Sequence, residues 1–165
     1  MNHESKMQRG RQWLEKLLLL ASIPSTVRAE FSPFGEEENN YWLIIDEKQL
    51  TPEQIQILIG PDGSVIDSIQ YLINTILNLG REPEDQCSYT IELQGYRARR
   101  CAELRKMAEY VAKQVITTGE EIEMKHLSAA ERRQIHTILK EWSELKTESR
   151  GEEPDRRLVV RLRAR

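Results

Sequence analysis

Thr51-Pro-Glu-Gln-Ile-Gln-Ile-Leu-Ile-Gly60-Pro-Asp-Gly63-Ser-Val-Ile-Asp-Ser-Ile-Gln-Tyr-Leu-Ile-Asn-Thr-Ile-Leu-Asn78 is the stretch that decides the fold. Thr51 can cap a short helix whose first position is Pro52. Gly60-Pro-Asp-Gly63 breaks that helix, and Ser64 can cap a second. In the second helix Val65, Ile69, Leu72 and Ile76 repeat at intervals of four and three, and Ile66, Ile73 and Leu77 widen the stripe. This pattern predicts a strongly buried core helix. Two helices meeting at a glycine loop are therefore the centre from which the rest is read.

Upstream, residues 12–22 place Trp13, Leu17 and Leu20 at helical spacing, and Pro24 stops the helix. Thr26 to Phe34 and Tyr41 to Asp46 read as two strands, joined as a hairpin through the turn-prone segment from Pro33 to Asn40. Downstream, Asn78 to Pro83 is a turn and Ser88 to Leu93 a third strand, which completes the order αββααβ. After Gly95 a long helix is predicted from Tyr96 to Thr118, with the apolar row Cys101, Leu104, Ala108, Val111 and Val115, ended by Gly119. A short strand around Ile122 precedes Ser128-Ala-Ala-Glu131, a capping box opening a helix that buries Ile135, Ile138, Leu139 and Trp142. Strands from Leu145 to Glu148 and Arg157 to Leu162 close the chain around the loop Ser149 to Pro154. The class is α+β.

At 165 residues there is room for two modest cores, and 39% hydrophobic with 31% charged residues is an ordinary globular balance. The longest apolar run, Leu17 to Ala21, is far too short to span a membrane, and no secretory leader is visible. Cys87 and Cys101 are too few for a disulfide framework, no Cys/His cluster has metal-ligand spacing, and no cofactor is implied; a reducing cytoplasm is expected. The net charge of −3 conceals an asymmetry: residues 1–95 carry 7 Lys/Arg against 15 Asp/Glu, residues 96–165 carry 17 against 12. The basic half can attract phosphate, or its charge can simply keep a surface solvated.

Two short motifs carry chemistry. A Gly-x-x-Gly spacing arises by chance roughly 0.4 times in such a chain, so its place between two helices supplies the information. Arg132-Arg-Gln-Ile-His136 contains Arg-x-x-x-His, expected by chance roughly 0.3 times. With Ile135 at zero, helical rotation puts Leu139 at about 40°, Arg132 at about 60°, His136 at about 100°, Lys140 at about 140° and Arg133 at about 160°. Arg132, His136, Lys140 and Arg133 thus form one basic arc beside the apolar stripe, suited to phosphate contacts. In the bland alternative His136 donates to a backbone carbonyl and Arg132 pairs with Glu131 or Glu109.

The first half resembles a type II KH domain, and the second resembles the R-3-H domain, named for the Arg/His spacing. Together with Gln94-Gly-Tyr-Arg-Ala-Arg-Arg100 and Ser149-Arg-Gly-Glu-Glu-Pro-Asp-Arg-Arg157, these features make the chain similar to the Jag (KhpB) family from about residue 10 to about residue 163. The resemblance implies a type II KH domain over residues 10–95, joined by a long helix to a small α+β R-3-H domain over 96–165. It implies a non-catalytic, cytoplasmic, bacterial protein that binds single-stranded RNA, acting in post-transcriptional control or as an RNA chaperone, linked to cell elongation, division and shape. A small single-KH partner protein (KhpA-like), or self-association, is the expected protein partner. RNA contacts would come from the KH loop, Gly60, Pro61, Asp62, Gly63 and Ser64, where glycine lets nucleotides approach the backbone. Further contacts would come from Arg132, Arg133, His136 and Lys140, with auxiliary cations at Arg97, Arg99, Arg100, Arg150, Arg156 and Arg157. The loop departs from the family pattern at Pro61 and Asp62, where a basic residue is common, and Asp62 would repel phosphate.

Two other functions compete. A protein-interaction scaffold would use the KH groove for dimerisation or partner binding, and Asp62 favours it. A nuclease with His136 as general base has little support: Glu131 and Glu141 point away from His136, and no two-metal spacing or Walker-type loop is present.

Overall fold

The computed structural model describes residues 2–31 and 39–164. The chain divides into two compact units, Met1–Arg97 and Ala98–Arg165.

In the first unit the elements are α1 (His3–Leu20), β1 (Val27–Phe31), β2 (Asn40–Ile45), α2 (Pro52–Ile59), α3 (Ser64–Asn78) and β3 (Ser88–Leu93), in the αββααβ order read from the sequence. The sheet order is β1-β2-β3, with β1 antiparallel and β3 parallel to β2. The hairpin expected between the first two strands is present as this antiparallel pair, whereas residues 32–38, including part of the first expected strand, lie outside the described residues. The core is built by Leu14 and Leu18 of α1, Tyr41, Leu43 and Ile45 of β2, Ile66 and Ile73 of α3, and Tyr89, Ile91 and Leu93 of β3.

Helix α1 starts nine residues before the predicted start. Asn2 caps it, its Oδ1 accepting from Ser5 N at 2.8 Å, and the buried Lys6 ties the first turns to the domain by donating to Glu84 O at 3.2 Å. Thr51 caps α2 as expected, and Gln54 completes a capping box with it.

The predicted core stripe of α3 is displaced. Ile66 and Ile73 are buried, with Ile69 and Leu77 packed beside them, whereas Leu72 and Ile76 are exposed. The cause is a row of amides on the next flank. Asn78 bonds both Cys87 N (3.0 Å) and Cys87 O (2.7 Å), and Asn74 bonds both Tyr89 N and Tyr89 O at 2.8 Å. Gln70 Oε1 accepts from Ile91 N at 2.9 Å, and Arg97 Nε donates to Ile91 O at 3.1 Å. These side chains take the place of a fourth strand along the outer edge of β3, satisfying backbone groups that would otherwise be an unpaired edge. The helix therefore rolls toward its Gln70–Asn74–Asn78 side and leaves Leu72 and Ile76 outside.

Ser64 does not cap α3. Its N-cap is Gly63, without a side-chain cap, and the loop is held by backbone shape: Gly60, Asp62 and Gly63 all have positive φ (72°, 52° and 76°). A Cβ on Gly63 would lie 1.8 Å from the Tyr96 hydroxyl, and one on Gly60 2.4 Å from Val65 Cγ2. Both glycines are thus required by packing within the unit. Gly63→Ala is expected to cost about 1–2 kcal/mol, because the left-handed backbone is strained and the Tyr96 hydroxyl, which donates to Asp62 O at 3.3 Å, must move. Urea denaturation measures it, and an unchanged midpoint would refute the packing argument.

The second unit contains the rest of α4 (Tyr96–Thr118), then β4 (Ile122–Met124), α5 (Ala129–Leu139), β5 (Leu145–Arg150) and β6 (Arg157–Leu162). The antiparallel sheet has the order β4-β6-β5. Leu104, Ala108, Val111, Ala112 and Val115 of α4 pack with Ile135, Ile138 and Leu139 of α5 and with Leu158 and Val160 of β6. Cys101, expected in the apolar row, is exposed, and Ala112 takes its place in the buried set. Among the described residues no helix is long and apolar enough to cross a membrane.

Candidate nucleic-acid interface

The capping box expected at Ser128 is formed: Ser128 Oγ accepts from Glu131 N at 3.2 Å, and Glu131 Oε2 accepts from Ser128 N at 2.9 Å. The other oxygen of Glu131 accepts from Arg100 Nε at 2.7 Å, in a pair almost withdrawn from solvent, and Arg100 also reaches Glu103 at 3.1 Å. Arg100 is therefore engaged in holding the start of α5 against α4.

Arg132 pairs with neither Glu131 nor Glu109. Its side chain is only 6% exposed; Nη1 donates to Leu127 O at 2.7 Å and to Arg156 O at 3.3 Å, while Nη2 pairs with Glu153. The guanidinium fork thus ties the turn before α5 to the segment entering β6. It presents no open edge of its own to a phosphate, and its effect on the surface is to fix the backbone of Arg156.

His136 is held through Nδ1 by the hydroxyl of Thr147 on β5, and Nε2 has no partner among the described residues. Arg133 and Lys140 are exposed on α5 and its C-cap, and Arg156 is exposed on the loop before β6; none of the three has an ion-pair partner among the described residues. Arg132, Arg133 and His136, with Thr147, Glu148, Glu153 and Arg156, line a groove of about 440 Å³. The helical arc read from the sequence is present, but its members divide: Arg132 supports the groove from within, Arg133 and His136 face it together with Arg156 from the loop before β6, and Lys140, at the C-cap of α5, is not among the residues that line it.

The other auxiliary cations are more deeply engaged than a solvated face requires. Arg150 bonds Glu121 at 2.6 and 2.9 Å and Glu148 at 2.5 and 2.9 Å, and these hydrogen bonds hold both carboxyls below the usual carboxylate range. Their contribution is accordingly present above the ordinary carboxyl pKa and fades as pH falls. Arg157 pairs with Glu123 at 2.9 Å. Arg97, in the first unit, bonds Asp67 (2.5 Å), Gln70 (2.9 Å) and Ile91 O, so it completes the β3 edge. Arg99 is exposed.

In the glycine loop Pro61, Asp62 and Ser64 are exposed, and Gly63 is buried under Tyr96. Asp62, exposed in the loop, places a carboxylate beside the start of α3, whereas Asp67 in the first turn of that helix is paired with Arg97. Thr147, which orients His136, and Glu153, which anchors Arg132, were not singled out in the sequence. Glu153 lies inside the quoted Ser149–Arg157 segment, whereas no spacing could identify Thr147, because strand register brings it to His136.

The R3H domain family matches residues 102–162. Three relatives carry the name RNA-binding protein KhpB. That of Clostridium symbiosum is 26% identical over 160 residues, 97% of this chain and 68% of the relative. That of Lactiplantibacillus plantarum is 32% identical over 107 residues, 65% of this chain and 33% of the relative. That of Bacillus subtilis is 32% identical over 113 residues, 67% of this chain and 53% of the relative. The chain thus matches between about one third and two thirds of the length of these relatives. It carries an R3H domain in its basic half and is similar over nearly all of its length to proteins named RNA-binding protein KhpB.

Proposed function

We propose that the chain binds single-stranded RNA without catalysing its cleavage, with the groove beside α5 as the principal site and the glycine loop of the first unit as a weaker one. The first unit is read as a type II KH domain on its αββααβ order and loop position. The observation that carries the proposal is a groove faced by Arg133, His136 and Arg156, in which neither arginine has an ion-pair partner among the described residues. Unpaired exposed guanidinium groups suit phosphates, and the free edge of His136 suits a phosphate oxygen or a base. The names of the relatives support RNA as the polymer. The non-catalytic reading is favoured because His136 is oriented at Nδ1 by a threonine hydroxyl and not by the carboxylate that a triad places there. A bacterial regulatory role tied to cell elongation and division, in a reducing cytoplasm, is the setting this activity fits.

A second reading, docking of a small single-KH partner or of a second copy, is favoured by α3. Leu72 and Ile76 lie about 40° apart around the helix, Leu79 follows at its C-cap, and their exposures are 44%, 49% and 80%.

The test is binding of oligouridylate across a salt series. Arg133→Ala and Arg156→Ala are each expected to lower the steepness of log K against log salt by about 0.7, the amount for one lost phosphate contact on a single strand. Unchanged slopes would remove the groove as the site; no binding combined with self-association would favour the docking reading.

A further inference from the structure

We propose that a strand bound in the Arg133–His136 groove continues across Arg156 into a second nucleotide subsite formed by Lys125, His126 and Arg157, an inference that rests on the RNA-binding reading above. The observation is a separate cavity of about 270 Å³, lined by Lys125, His126, Pro154, Asp155, Arg156 and Arg157. Arg156 lines both this cavity and the first groove. Its carbonyl is held by buried Arg132 while its side chain is exposed, so a cation carried on an anchored backbone stands at the boundary of the two.

Charge and shape limit what the second cavity can take. Glu123 on β4 draws Arg157 (2.9 Å) and Lys125 (3.8 Å) toward one carboxylate, and Asp155 adds another negative group at the rim. The surplus of positive charge is small. It fits one phosphate of a strand entering from Arg156 better than a ligand carrying several phosphates. His126 supplies the second element: it is exposed, and its backbone is left-handed (φ 60°) between buried Met124 and Leu127. Glycine would occupy that position with less strain, so a histidine there asks for a reason beyond the turn. An exposed imidazole beside guanidinium groups can stack with an unpaired base while the cations hold its phosphate.

The experiment measures affinity of the full chain for oligouridylates of increasing length, for the wild type, His126→Gly, Lys125→Ala and Arg133→Ala. Short oligomers filling only the first groove should bind the wild type and the first two variants alike. Longer ones should lose about fivefold to tenfold in His126→Gly, the range for one weakened stacking contact, and a smaller factor in Lys125→Ala. Arg133→Ala should weaken every length. His126→Gly should melt no lower than the wild type, which separates lost binding from lost folding. Equal binding at all lengths, or an equal loss at all lengths, overturns the subsite while leaving the groove in place. Failure of every form to bind any oligomer overturns the subsite together with the reading beneath it.

Discussion

Arg132→Ala is expected to destabilise the C-terminal unit by about 3 kcal/mol, not merely to weaken RNA binding. The side chain is 6% exposed and donates to two backbone carbonyls, Leu127 O and Arg156 O, besides pairing with Glu153. Hydrogen bonds from a charged donor contribute about 1.5–3 kcal/mol each, and a carbonyl left unpaired in a buried setting adds its own desolvation cost. Glu153 is 60% exposed, so its loss of a partner is compensated by water and adds little. Chemical denaturation gives the stability; the salt series gives the binding. Arg132→Lys keeps the charge but has no planar fork with which to reach both carbonyls and the carboxylate, so it should recover only a minor part of the stability. If Arg132→Ala melted normally and lost about one phosphate contact in its salt slope, Arg132 would be a phosphate ligand and its supporting role would be wrong.

The same residue shows where sequence reasoning stopped. Helical rotation put Arg132 in the basic arc, and that is where it lies; rotation carries no information about Glu153 or Arg156, which the fold brings in from more than twenty residues away. Elements whose ends are marked by local chemistry were legible: Thr51 and Ser128 cap, Gly119 closes α4, and the apolar period of residues 104–115 faces the core. The start of α1 was not, because residues 3–11 carry no apolar stripe and are kept helical by the Asn2 cap and by contacts of Lys6 that exist only in the folded domain. The displaced face of α3 has the same origin. Counting apolar side chains finds Leu72 and Ile76, but the amides of Gln70, Asn74 and Asn78 bond the β3 edge and turn the helix toward themselves.

Asn74→Ala should therefore cost about 2–4 kcal/mol in the first unit, more than a polar residue in the middle of a helix would suggest. Asn74 accepts from Tyr89 N and donates to Tyr89 O, both at 2.8 Å, and Tyr89 is fully buried at the centre of the three pairings that close this edge. Alanine removes both bonds and leaves a donor and an acceptor with neither protein nor water to meet them. Asn74→Asp separates the two contributions. Its ionised carboxylate can still accept from Tyr89 N but turns an oxygen against Tyr89 O, whereas the protonated form can donate there. The folded state then favours protonation and raises the carboxyl pKa, so stability is retained below the ordinary carboxylate pKa and lost as pH rises through the raised value. Denaturation of the aspartate variant at acid and neutral pH should show this gain at low pH relative to Asn74→Ala. Amide exchange in Asn74→Ala should accelerate at Tyr89 first and at Ile91, whose N–H is bonded to Gln70, much less. If Tyr89 remained as protected as in the wild type, the amide row would not be what closes the edge of β3, and the roll of α3 would need another cause.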